Sequence, residues 1–268
     1  MTHPVDFTLA PPAADAAALD GARSVLFDAL AAALNALLSG QCAHLFGPPL
    51  QGMTMPGGAR IPGTSLELDP VQAAFSLGLL LRWHAHEGDH CADTLGPLLA
   101  VFDYRARQAV HSGEPAPLMS ALLRASITAQ ALQNRIDSDD AGTRLRAACA
   151  LLGTAALGGS AAQLHAALND SLRDGVEPAR RWRVANAGSR GVWHALMAMR
   201  GAGDEAIAHT LRAATPPAQA DHAGARERLN AAITATFPPR QVTKINATLV
   251  LPAEDLRVGE FLARFVRN

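Results

Sequence analysis

Apolar residues recur three and four positions apart along most of this chain, which is the period of an amphipathic helix and not of a strand. Between positions 17 and 38, Leu19, Ala22, Leu26, Ala29, Leu30, Ala33, Leu34 and Leu37 fall on one face, and Gly40 ends the run. Residues 45–64 form a Pro/Gly-rich connection, long for a loop. Asp69-Pro70 then opens a second helix: Asp69 suits the N-cap and Pro70 the first helical position. That helix, VQAAFSLGLLLRW, is apolar almost all round and predicts a central, buried position, ending near Arg82 or Trp83.

Further helices are expected at about 95–111, with Asp93 or Thr94 as cap, and at 117–133, 142–157, 160–173, 187–200 and 224–236. KINATLVL reads as a short β-like stretch, and a last helix follows near 253–266. The expected fold class is therefore all-α, a bundle of helices. Residues 1–15 read as a flexible N-terminal arm and 16–268 as a single helical domain, with a short linker near 201–224.

Composition narrows the function classes. Net charge is −1 and the pI is about 6.8, so no global field favours nucleic acid or an anionic membrane. Lys244 is the only lysine among 23 basic residues; arginine can hold a carboxylate but is a poor general base. The three cysteines (Cys42, Cys91, Cys149) are far apart, as expected for reduced thiols in the cytoplasm, and they offer no cluster for iron–sulfur ligation. No cofactor is expected. The N-terminal stretch lacks the basic-then-apolar order of a secretory leader.

The densest chemistry lies in RWHAHEGDHCADT, residues 82–94, which includes H-E-x-x-H. A zinc-protease reading needs a helix that brings both histidines to one face. Gly88-Asp89 disfavours that helix, and no third ligand follows at a suitable spacing. His84, His86 and His90 remain candidates for a casual metal site on a loop.

Several segments carry a specific likeness. ARIPGTSLELDPVQAAFSLGLLLRW (59–83), TLGPLLAVFDY (94–104), ARRWRVANAGSRGVWHALMAM (179–199) and FPPRQVTKINATLVLPAEDLRVGEFLARF (237–265) resemble the MmgE/PrpD family, in particular its 2-methylcitrate dehydratase branch. The resemblance implies a helical domain carrying an inserted α/β lid, homodimers, and dehydration of a hydroxy-tricarboxylate. Here the linker near 201–224 stands where the lid is expected.

Carried over residue by residue, the family's W-x-D-x-x-D-T…H-P-S-D stretch leaves Ala85 in place of the Asp, no clear counterpart of the Thr, and His90 as the retained catalytic candidate. The later catalytic His falls near Asp140, and the active-site Lys falls on Arg180 or Arg181. Arg82, Arg180, Arg181 and Arg190 are the candidate carboxylate holders. The expectation is a lidless, non-catalytic relative that binds a small polycarboxylate or a protein partner. A reduced hydro-lyase is the first alternative and a metal-binding loop at His84–His90 the second. A homodimer is expected, without nucleic acid or membrane.

Overall fold

Asp15 and Asp69 start two of the longest-range elements in the way their chemistry dictates. In the computed structural model, which describes residues 3–40, 42–43, 46–48, 50, 52–83, 93–173 and 224–267, the Asp15 carboxylate accepts the Ala18 N–H at 2.8 Å. Helix α2 (Ala16–Ser39) begins there and ends at Gly40, whose φ of 67° is left-handed. Asp69 accepts the N–H groups of Val71 (3.0 Å) and Gln72 (3.2 Å), and Pro70 opens α3 (Pro70–Leu81).

Ten helices are present among the described residues. Beside α2 and α3 they are α1 (Pro4–Leu9), α4 (Leu95–Ser112), α5 (Met119–Gln133), α6 (Ala141–Ala156), α7 (Ala161–Arg173), α8 (Ala225–Thr236), α9 (Pro239–Leu249) and α10 (Val258–Arg264). Two short strands, β1 (Ala59–Arg60) and β2 (Glu67–Leu68), pair antiparallel inside the long connection between α2 and α3. The all-α expectation holds.

The core forms where α2 meets α3, α5 and α8, burying Leu26, Leu30 and Leu34 against Leu229 and Ile233. By length and composition α2 could cross a bilayer, but half of its most apolar stretch is buried inside this fold. Helices α3 and α4 pack closely because Gly96 lies against the backbone of Gly78. A Cβ on Gly96 would lie 2.5 Å from the Gly78 nitrogen, so no side chain fits at Gly96.

A buried ion pair ties three elements together. Arg60 on β1 donates its backbone N–H (2.8 Å) and Nε (3.0 Å) to Asp103 Oδ2 on α4. One terminal guanidinium nitrogen bonds Asp103 Oδ1 and also the Gly259 carbonyl of α10, the latter at 2.7 Å. Asp103 is wholly buried and Arg60 is 8% exposed.

The C-terminal segment is sewn into the bundle by backbone bonds. Val258 N–H donates to the Pro117 carbonyl at 3.0 Å, while Met119 and Ser120 N–H donate to Leu256 (2.7 Å) and Ala253 (2.9 Å). Gly63, at a φ of 81°, donates to the Phe265 carbonyl at 2.7 Å, and Arg267 N–H donates to Thr64 at 3.0 Å. Phe261 and Phe265 pack with ring centroids 5.0 Å apart in the core.

Three expectations are corrected. The segment expected as a loose arm contains α1, because Val5 and Phe7 are buried against the bundle and the Arg135 guanidinium lies 3.9 Å over the Phe7 ring. KINATL (244–249) is helical in α9, whose Ile245, Thr248 and Leu249 are buried at helical spacing; burial overrides the β preference of Ile and Thr. The last helix is shorter than expected, at Val258–Arg264, because residues 252–257 form a turn and a bridge to Leu118. The helix expected at 187–200 and the linker near 201–224 lie outside the described residues.

Removing one partner of the Arg60–Asp103 pair leaves a buried charge alone, which costs about 3–5 kcal/mol. Asp103→Ala is expected to lower unfolding stability by that amount in denaturant titrations. The apolar double variant Arg60→Met/Asp103→Leu is expected to cost less than the single change.

Candidate functional site

The candidate site is built on the break between α3 and α4. The first ends because Arg82 leaves helical geometry at the C-cap (φ −101°, ψ 0°); the second begins at Leu95. The two helices cross at Gly78 and Gly96. The two ends of the break are joined by an ion pair, Arg82 Nε to Asp93 Oδ1 at 2.9 Å, with both side chains mostly buried.

This arrangement changes two expected roles. Asp93 was a candidate cap for α4, but its carboxylate is turned to Arg82, and Thr94 occupies the N-cap position without a side-chain cap bond. Arg82 was a candidate carboxylate holder, and the carboxylate it holds in this structure belongs to Asp93.

Two polar atoms at this border were not anticipated from sequence. Trp83 Nε1 and Thr94 Oγ1 are buried and have no hydrogen-bond partner among the described residues. Leaving such an atom unpaired costs about 1–3 kcal/mol, which is why buried polar groups are nearly always bonded. Nothing in the spacing of the sequence marks them beyond their position on either side of 84–92.

Cys149 on α6 faces the same end of the bundle. Burial, and secondarily the nearby negative charge of Asp93, push its thiol up to about 12. Cys42, whose Sγ donates to the Ala36 carbonyl at 3.4 Å, is raised to about 11 by burial. With the thiol form favoured by burial, both are poor nucleophiles at neutral pH.

Asp140, near which the resemblance puts a catalytic histidine, is the N-cap of α6. Its Oδ2 accepts the Thr143 N–H at 2.6 Å, and the hydrogen bonding from Thr143 holds its carboxyl below the usual carboxylate range. It is an exposed structural group.

His84, His86, His90, Arg180, Arg181 and Arg190 lie outside the described residues, so of the candidate site residues only Arg82 is placed. Among the described residues no group of three or more His, Cys, Asp or Glu side chains could hold a metal.

An all-helical domain whose polar border falls after a buried R-W helix end defines a class that comparison with known proteins makes specific. The MmgE/PrpD N-terminal domain matches residues 6–214, and the chain belongs to the MmgE/PrpD family. It is 36% identical over 191 residues to the 2-methylcitrate dehydratase of Cupriavidus necator, covering 66% of this chain and 40% of that protein. The 2-methylcitrate dehydratase of Salmonella typhimurium is 32% identical over 223 residues, covering 74% and 46%. A probable 2-methylcitrate dehydratase of Saccharomyces cerevisiae is 34% identical over 203 residues, covering 69% and 39%. The chain thus spans less than half the length of these relatives.

The Asp140 cap gives a pH-dependent expectation with a definite sign. Its native carboxyl is more acidic than in the unfolded chain, so its stabilising contribution is complete above the unfolded value of about 3.9. That contribution is lost as pH falls through the lower native value. Asp140→Ala is expected to lower the urea midpoint at pH 7 and to converge on the parent protein in strong acid.

Proposed function

We propose that this chain is a non-catalytic relative of 2-methylcitrate dehydratase that binds a small polycarboxylate in the cytoplasm. The observation that carries the reading is the fate of the stretch around Asp140: near the place where the resemblance calls for a catalytic His, this chain has an exposed helix cap. The Arg82–Asp93 pair supports it, since both groups answer to each other across the end of α3.

Dehydration of a hydroxy-tricarboxylate moves a proton from a carbon beside a carboxylate to a base, forms a C=C bond, and expels hydroxide, which leaves as water when an acid protonates it. The charge that builds on the carboxylate needs fixed cationic donors and exclusion of bulk water. In this reading His90 is the single acid–base group inherited at its family position. Ala85 supplies no carboxylate, and Arg180 or Arg181, at the position of the family's lysine, stays protonated.

The linker near 201–224 takes the place of the α/β lid, so the site lacks the cover and the extra donors that a lid supplies. Anion binding asks for less. Arg180, Arg181 and Arg190 provide planar, permanently charged donors suited to carboxylates.

The test is an ultraviolet assay for the new C=C bond at high protein concentration, with 2-methylcitrate and citrate as substrates and His90→Ala as control. The expected result is no turnover, together with calorimetric binding of citrate that weakens at least tenfold in Arg180→Ala/Arg181→Ala. Turnover that disappears in His90→Ala would overturn the proposal in favour of a reduced hydro-lyase. Stoichiometric zinc or nickel on untagged protein, with no citrate binding, would overturn it in favour of a metal-binding loop at His84–His90.

A further inference from the structure

Helix α4 begins without a side-chain cap bond, and the adjacent carboxylate is committed elsewhere. Asp93 is paired with Arg82 at 2.9 Å, while Thr94 holds the N-cap position and its hydroxyl caps nothing. The first turn of a helix carries N–H groups with no partner inside the helix. Here Pro97 has no N–H, and the Leu98 N–H donates to the Thr94 carbonyl at 3.1 Å, so Leu95 and Gly96 supply the first-turn donors. Eighteen residues of aligned peptide dipoles stand behind them, and this helix end favours negative charge.

A second observation, independent of the dipole, falls at the same place. Thr94 is wholly buried and Trp83 is 2% exposed, and neither Thr94 Oγ1 nor Trp83 Nε1 has a hydrogen-bond partner among the described residues. The Arg82–Asp93 pair joins the residues just before these two, so both are held at the same end of the α3–α4 pair. An indole N–H and a backbone N–H only donate, and a hydroxyl is able to. A set of groups of this kind takes an acceptor, not a metal ion or an ammonium group. Arg82 and Asp93 cancel as a pair, so the helix end sets the sign of the local field.

We propose, resting on the polycarboxylate reading above, that the start of α4 is a carboxylate subsite. Thr94 Oγ1, Trp83 Nε1 and the first-turn amides hold one carboxylate of the ligand through neutral donors, leaving its other carboxylates to the arginines at 180–190. Replacing a buried polar group that has no partner by an apolar group of the same shape is nearly neutral for the free protein, or stabilising. The Thr94 hydroxyl therefore serves the ligand and not the fold.

Calorimetric titration of the full chain tests it, with citrate and with tricarballylate, which keeps all of citrate's carboxylates and lacks its hydroxyl. Urea unfolding of the free proteins runs alongside. Thr94→Val is expected to weaken both ligands by about tenfold or more while its urea midpoint stays at or above the parent's. Thr94→Ser, which keeps the hydroxyl, retains the parent's affinity, and Trp83→Phe weakens both ligands in the same direction. A Thr94→Val midpoint below the parent's overturns the proposal, because the hydroxyl then has a partner within the fold. Unchanged affinity in Thr94→Val, with binding still lost in Arg180→Ala/Arg181→Ala, overturns the subsite and leaves the polycarboxylate reading standing. Weakening confined to citrate overturns it in favour of a contact to the ligand's hydroxyl. A parent protein that binds neither ligand overturns both the subsite and the reading it rests on.

Discussion

The fold depends on one buried charge being satisfied completely. Asp103 sits on α4 with no solvent contact, and its carboxylate accepts from the backbone and the guanidinium of Arg60. Burying a lone carboxylate costs several kcal/mol, so the position is tolerable only if β1 is held against α4 in one register. The same guanidinium reaches the Gly259 carbonyl, and Gly259 lacks a side chain where α10 comes against Ala106. A single arginine therefore sets the places of β1, α4 and α10 relative to one another. The backbone bonds from Gly63 to Phe265 and from Arg267 to Thr64 follow from that placement.

Arginine serves this purpose repeatedly. Arg105 bonds the Ala156 carbonyl at the end of α6, Arg146 donates to the Ser171 carbonyl (3.1 Å), and Arg267 donates to the Thr236 carbonyl (3.0 Å). The planar, fixed fork suits these tasks better than a lysine, which fits a chain that holds one lysine. Arg82 belongs to the same pattern: it closes the end of α3 onto Asp93. The proposed loss of catalysis is consistent with this economy of charge, because polar side chains near the α3–α4 break, Arg82 and Asp93 among them, are engaged in holding the domain together.

Much of the fold was legible because it is local. Asp69-Pro70, the three-and-four spacing through Leu26, Leu30 and Leu34, and Gly40 each report a capped helix from a few adjacent residues. The misreadings have non-local causes. Pro4–Leu9 is too short to declare itself and is helical because Val5 and Phe7 find the bundle. KINATLVL has the branched residues of a strand, yet Ile245 and Leu249 bury on the spacing of a helix. Arg60 and Asp103 are 43 positions apart and Arg60 and Gly259 are 199 apart, so no window of sequence joins them. At the candidate site, the H-E-x-x-H pattern and the arginines at 180–190 were visible as residue types, but the pairing of Arg82 with Asp93 and the burial of Trp83 Nε1 and Thr94 Oγ1, without a partner among the described residues, are properties of three-dimensional structure.

The Arg60–Asp103–Gly259 junction closes the C-terminal segment onto the rest of the helical domain. Native-state hydrogen exchange across a denaturant series measures this directly. The account predicts that amides of α10 such as Phe261, the Phe265 amide that follows it, and amides of α4 such as Leu98 open together in the global unfolding event and share its free energy. Exchange of the α10 amides through a separate, much lower-energy opening while α4 stays protected would contradict it.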